Sequence, residues 1–183
     1  MVPHHLLIDE ATIQRRVAEL AACIAGDLPS RTPVLLGVLT GSFVFMADLV
    51  RALARHGVEP TVQFVRLSHY HQGTEAERPV QLIGQDLPDI RGHVVLVVDD
   101  IFDSGYTLAR LWADLTARQP AWLRLCTFLD KPSRHRVSLT PDYVGLTVPD
   151  VWLIGYGLDL NGEGRALPYI AAVSQDSQKI TGS

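Results

Sequence analysis

Three carboxylates, Asp99, Asp100 and Asp103, follow the apolar run over 94–98, and Ser104, Gly105 and Thr107 come straight after them. The stretch reads VVLVVDDIFDSGYTLARL, a buried strand handing over to a helix. A helix N-terminus offers unpaired N–H groups and the positive end of a dipole. Gly105 lets the backbone turn tightly and approach a ligand, and the hydroxyls of Ser104 and Thr107 add donors. Together these form a cradle for a phosphate. Asp99 and Asp100 suit a different task, accepting hydrogen bonds from vicinal hydroxyls such as those of a ribose. The residue types and their spacing therefore describe a ribose 5-phosphate site. The plainer reading, in which the acids are helix caps and solvated charges, suits a lone Asp-Asp better than this longer pattern. A nucleotide P-loop needs G-x-x-x-x-G-K-[ST], which the chain lacks, and it also lacks a G-x-G-x-x-G turn.

The elements that must position these residues can be read from periodicity. Ile13, Val17, Leu20 and Ile24 form a helical stripe with Asp9 as a candidate N-cap, and Gly26 and Pro29 end it. Residues 33–39 predict a fully apolar strand, 43–57 a helix ending at Gly57, and 61–67 another strand. The polar stretch over 68–79 predicts a long loop, followed by a short strand at VQLIG. A buried strand over 93–100, a helix over 105–119, a strand over 121–130 and a loop over 131–141 come next. DYVGLTV and DVWLIGYG predict two further strands. Apolar strands alternating with amphipathic helices argue an α/β domain with a mostly parallel sheet. Ligands of such sheets bind beyond the carboxyl ends of the strands, where the strand order reverses, and 99–107 lie at such an end.

A chain of 183 residues, 47% hydrophobic and 20% charged, suits one globular domain with a sizeable core. The net charge of −4 disfavours nucleic acid as a main partner, but backbone N–H groups can still hold a small anion. Cys23 and Cys126 both sit among apolar residues and predict two buried thiols in a reducing compartment. No run approaches a membrane span and the first sixteen residues lack a signal pattern, so a cytoplasmic, membrane-free protein is expected. His69 and His71 form an H-x-H without a third ligand, too little for a zinc site.

VVLVVDDIFDSGYTL closely resembles the phosphoribosyl pyrophosphate (PRPP) signature of type I phosphoribosyltransferases. GVLTGSFVFMADLVRAL resembles the pyrophosphate loop and following helix of hypoxanthine-guanine phosphoribosyltransferases, and FVRLSHYHQGTE their mobile loop. FLDKPSRHRV and DYVGLTVPDVWLIGYGLDLNGEGRALPYI are similar to their purine-binding and C-terminal segments. The likeness runs in the family's order over roughly 33–173. It implies the type I phosphoribosyltransferase fold: a mostly parallel sheet flanked by helices, with a small hood from the C-terminal and N-terminal segments. The core would span about 30–145 and the hood about 1–15 and 146–173, leaving 174–183 as a disordered tail.

The resemblance also assigns roles. Asp99 and Asp100 would hold the ribose 2- and 3-hydroxyls and help bind Mg²⁺. Asp103 would stand near purine N7 as general base. Ser104, Gly105, Tyr106 and Thr107 would bind the 5-phosphate, beside Asp103. Leu39, Thr40, Gly41 and Arg165 would hold pyrophosphate, with a cis peptide between Leu39 and Thr40. Lys131 would read the purine 6-oxo group, Trp152 would stack on the ring, and Leu153 would contact its edge. Asp159 would belong with these purine-binding residues and help hold Mg²⁺, partly through water, near the pyrophosphate. Ser68, His69 and Tyr70 would belong to the closing loop. Two positions depart from the family's usual pattern: Asp99 replaces a glutamate, and Thr40 replaces a lysine. The implied reaction is Mg²⁺-dependent transfer of the phosphoribosyl group from PRPP to N9 of hypoxanthine or guanine, giving IMP or GMP and pyrophosphate in purine salvage. A homo-oligomer, dimer or tetramer, is implied too. The alternatives are transfer to another base, xanthine or at longer odds uracil, and a regulator that binds nucleotide without turnover.

Overall fold

The computed structural model describes residues 2–69, 80–82 and 89–174. Its main sheet contains β2 (Val34–Leu39), β3 (Thr61–His69), β4 (Val80–Leu82), β5 (Val94–Phe102), β6 (Trp122–Asp130) and β7 (Tyr143–Thr147). The order is β4-β3-β2-β5-β6-β7, parallel throughout except for the antiparallel edge strand β4. From β2 the chain steps one way to β3, and from β5 the other way to β6. The order reverses between β2 and β5, so a crevice opens at their carboxyl ends.

Side-chain alternation along the strands explains the layers. Leu35, Leu96, Val98, Cys126 and Phe128 face α1 (Glu10–Asp27) and α2 (Phe43–Ala54). Val34, Leu36, Val38, Val95, Val97 and Leu125 face α3 (Tyr106–Thr116), through Leu108, Leu111 and Leu115. Burial on both faces is why these strands read as continuous apolar runs. Helix α1 buries Ile13, Val17, Leu20 and Ile24 as their spacing predicts, and Asp9 caps it by accepting from the Thr12 N–H at 2.7 Å. The Leu39–Thr40 peptide is cis.

A second, antiparallel sheet joins β1 (His4–Ile8), β9 (Ile170–Val173) and β8 (Leu153–Ile154), in the order β1-β9-β8. Neither β1 nor β9 was expected, because each depends on a partner far away in the chain. The strand expected over DVWLIGYG shrinks to Leu153–Ile154. Gly155, Tyr156 and Gly157 take positive φ values of 100°, 50° and 101°, which end the extended run. Strand β3 continues through His69, paired with Val80 of β4, so Ser68 and His69 are strand residues and not loop. Strand β5 runs two residues beyond the expected end, because Ile101 and Phe102 still pair with Leu129 and Asp130 of β6. The loop over 131–141 contains a 3-10 turn at Pro132–Arg134. Cys126 is buried, but Cys23 is exposed on α1, off the stripe that faces the sheet. Among the described residues no helix is long and apolar enough to cross a membrane.

Candidate active site

Gly105 makes the turn that delivers the site. It lies at φ 84° at the N-cap of α3, and a Cβ there would meet Val137 Cγ2 at 2.5 Å and Phe102 Cζ at 2.7 Å. Both facts require glycine. The first-turn amides of α3 are thereby presented at the end of β5. Gly105 and Thr107, at the start of α3, line a cavity of about 260 Å³ together with Leu39, Thr40 and Gly41 after β2, and Asp99, Asp100, Asp103 and Ser104. The cavity lies at the reversal of strand order, as the sequence predicts. Tyr106 is not among its lining residues.

The two sides of the crevice touch at one point. A Cβ at Gly41 would fall 1.7 Å from Asp100 Oδ2, so the carboxylate packs directly on this glycine. Burial and the neighbouring Asp100 charge push the Asp99 carboxyl well above the ordinary carboxylate range. Burial raises Asp100 as well, against backbone hydrogen bonds and the nearby Arg165 charge. Two adjacent buried carboxylates therefore resist ionising together.

Arg165 and Asp159 form an ion pair. Arg165 also donates to the Gly157 carbonyl, and Asp159 accepts from the Gly162 N–H at 2.7 Å. A Cβ at Gly157 would lie 2.2 Å from the Gly41 carbonyl oxygen, so this segment packs onto the 39–41 loop and brings Arg165 to its edge.

Asp103 is held by two cations. Lys131 Nζ donates to Oδ2 at 3.3 Å and Arg134 Nε to Oδ1 at 2.9 Å. Burial pushes this carboxyl up, but the Arg134 hydrogen bond and the Lys131 and Arg134 charges outweigh it and hold it below its ordinary value. Lys131 is only 6% exposed, and its N–H is anchored to the Phe102 carbonyl at 2.9 Å. Lys131 is thus a buried cation behind the cavity wall, reaching it through Asp103 Oδ2. Arg134 escaped the sequence reading; the signal was present, as the second basic residue of KPSRHR, but its aim depends on the 3-10 turn.

Not every expected residue lines the cavity: Lys131 meets it only through Asp103, and Arg165 lines a neighbouring pocket with Phe43, Val44 and Tyr156. Trp152, 57% exposed, and Leu153 sit at the second sheet, where Leu153 pairs with Ala172. Asp159 reaches the site only through Arg165. Tyr70 lies outside the described residues. Among the described residues no cluster of three or more His, Cys, Asp or Glu could hold a metal by itself. Asp99 and Asp100 suit Mg²⁺ all the same, since that ion is commonly held by one or two carboxylates plus substrate phosphates.

Comparison with known proteins agrees with this geometry. The family model described as Phosphoribosyl transferase domain matches residues 8–161. The chain belongs to the phosphoribosyl transferase family. It is 41% identical over 170 residues to the hypoxanthine phosphoribosyltransferase of Escherichia coli (strain K12), covering 92% of this chain and 94% of that protein. It is 41% identical over 169 residues to the hypoxanthine-guanine phosphoribosyltransferase of Aquifex aeolicus, covering 92% and 93%. A crystal structure of a hypoxanthine-guanine phosphoribosyltransferase from Bacillus anthracis superposes with a TM-score of 0.86 at 40% identity, covering 95% of this chain and 99% of that one. As a phosphoribosyltransferase, the chain has the type I fold that its motifs imply, a mostly parallel sheet flanked by helices.

Proposed function

We propose that the chain transfers the 5-phosphoribosyl group of PRPP to N9 of a 6-oxopurine, hypoxanthine or guanine, releasing pyrophosphate. The observation that carries this reading is the pairing of buried Lys131 with Asp103 at the rim of the α3 cradle. The amides of α3, with Ser104, Tyr106 and Thr107, bind the 5-phosphate. Asp99 and Asp100 accept from the ribose hydroxyls. Backbone N–H groups of the 39–41 loop and Arg165 hold pyrophosphate, as Thr40 brings no charge. Mg²⁺, which Asp99 and Asp100 would hold, neutralises charge on the leaving group when bound. Asp159 acts through Arg165 and would help hold Mg²⁺, partly through water.

Lys131 carries three donors and no acceptor, so it satisfies a 6-oxo group and opposes a 6-amino group. Trp152 supplies an exposed ring for the base to stack upon, with Leu153 at its edge. Asp103, held ionised, accepts the N7 proton as N9 attacks C1. The second sheet serves as a hood over the main sheet. A cytoplasmic homo-oligomer goes with this reading, and two free thiols suit that compartment. The test is mass-spectrometric product detection with PRPP, Mg²⁺ and one base at a time. IMP and GMP should form; nucleotide from neither hypoxanthine nor guanine would overturn the proposal.

A further inference from the structure

Asp103 has two oxygens, and its two cations divide them. Arg134 holds Oδ1 and Lys131 holds Oδ2. The two donors have different futures in the proposed reaction. Lys131 must turn from Oδ2 to the purine oxygen when the base arrives. Arg134 has no such duty, and its surroundings keep it in place. Asp150 Oδ1 lies 3.7 Å from its Nε, on the turn before β8. Its backbone N–H donates to the Lys131 carbonyl at 2.9 Å, closing the 3-10 turn. The loop beyond is fastened twice. His135 Nε2 meets Asp130 Oδ1 at 2.7 Å with its ring edge-on to Phe102, and the Arg136 N–H donates to the Ser104 carbonyl at 3.0 Å. The segment carrying Arg134 is thus tied to the same turn that carries Asp103.

We propose that Arg134 is a positioning residue for the transfer: it fixes Oδ1 of Asp103 and leaves Oδ2 as the oxygen that takes the N7 proton. This rests on the reading of Asp103 as general base. As the base binds, Lys131 leaves Oδ2 for the 6-oxo group, and Oδ2 is uncovered toward N7. The N7–H proton passes to Oδ2, and its bonding pair returns to the ring. The N9 lone pair forms the N9–C1 bond, and the C1–O bond breaks with its pair going to pyrophosphate. Asp103 finishes as the neutral acid and returns its proton to water before the next turnover. With Lys131 turned away, Arg134 is the cation that keeps the carboxylate ionised and its plane fixed. Among the described residues, the charged groups facing Asp103 are Lys131 and Arg134 after β6, with Asp150 behind Arg134, and Asp99 and Asp100 on the same cavity wall.

The experiment measures single-turnover rate against pH in the full chain with PRPP, Mg²⁺ and hypoxanthine. The proteins compared are the wild type, Arg134→Gln, Arg134→Lys and Asp103→Asn. Removing a cation from a carboxylate raises its pKa, so the acid limb of Arg134→Gln should move up by roughly one pH unit. Its plateau should fall by about tenfold, a loss of the size expected when a base is present but badly aimed. PRPP affinity should stay within about twofold, as no PRPP contact is removed. Arg134→Lys should bring the limb back toward wild type while recovering only part of the plateau, because Lys keeps the charge without the planar fork. The Arg134 side chain is 42% exposed, so these variants should fold, and their thermal unfolding checks that they do. An acid limb unmoved in Arg134→Gln, or a limb in Arg134→Lys no nearer wild type than in Arg134→Gln, would overturn the inference. If Asp103→Asn is slow while Arg134→Gln keeps the wild-type limb, only the role of Arg134 falls. If Asp103→Asn keeps the wild-type plateau, the general-base reading falls and takes the inference with it.

Discussion

Asp99 carries the electrostatic tension of the ligand-free protein. Its carboxyl is raised by burial and by the adjacent Asp100. A carboxyl raised by folding is easier to accommodate protonated. Its stabilising contribution is complete below the ordinary unfolded value of about 4 and is lost as pH rises through the raised folded value. Asp103 has the opposite sign: its carboxyl is lowered, so its contribution is present above the unfolded value and lost on acidification. Asn at position 99 keeps an oxygen for the Asp100 N–H, which now donates to Asp99 Oδ1 at 3.0 Å, and removes the charge. Asp99→Asn should therefore raise the thermal midpoint of the ligand-free protein at pH 8 by roughly 2–4 °C, with little change at pH 4. It should also abolish most of the stabilisation that Mg²⁺ with pyrophosphate gives the wild type. Calorimetry at the two pH values, with and without those ligands, decides it. A lower midpoint at pH 8 would mean the charge is already neutralised by a contact that Asn lacks.

At the scale of elements, the site depends on two loops meeting. The strand-to-helix turn after β5 was legible because everything it needs lies within VVLVVDDIFDSGYTL: an apolar run, acids, a glycine and a helical stripe. The 39–41 loop was legible only through its resemblance, since TGS alone describes any turn. What it does is set by Gly41 lying against Asp100, a contact across about sixty positions. Gly41→Ala would place a methyl where Asp100 Oδ2 now stands, so the carboxylate must move. PRPP binding should weaken by at least about tenfold, with the fold retained, as the strain falls on one side chain. Wild-type PRPP affinity in isothermal titration would show that Asp100 moves freely and does not hold ribose in this geometry. Thr40→Lys tests the other half of the loop. It adds a cation beside an anion already facing Arg165, and exposed pairs are usually worth under about 1 kcal/mol. A few-fold tighter pyrophosphate inhibition is expected with the hypoxanthine-to-guanine ratio unchanged. A shifted base ratio with unaltered pyrophosphate inhibition would put the loop at the wrong end of the site.

The whole molecule is two sheets brought together over one crevice, and the second sheet is where sequence reasoning ran out. In β1, Leu6 and Leu7 are adjacent and both exposed, at 58% and 37%, so HHLLI shows no alternation to betray a strand. In β9, all four residues are buried and the segment is too short for a period to register. Their pairing, His4 with Val173 and His5 with Ala172, closes nearly the full length of the chain. The same long reach hid Arg134, whose value lies in meeting Asp103 from another loop. The segment after β8 is also tied to α2 and to the loop after β2. Tyr156 donates its hydroxyl to Asp48 on α2 at 2.7 Å, and Gly157 packs on Gly41. On the proposed function, this assembly selects a base whose position 6 accepts from buried Lys131. The most direct test is kcat/KM for hypoxanthine, guanine and adenine, with PRPP and Mg²⁺ saturating, in the wild type and in Lys131→Gln. A mismatched buried donor costs about 1–3 kcal/mol, so wild type should prefer both 6-oxopurines over adenine by at least roughly tenfold. Lys131→Gln should narrow that preference, because an amide can present either a donor or an acceptor. Comparable efficiency with adenine in the wild type, or a preference that Lys131→Gln leaves intact, would contradict the account.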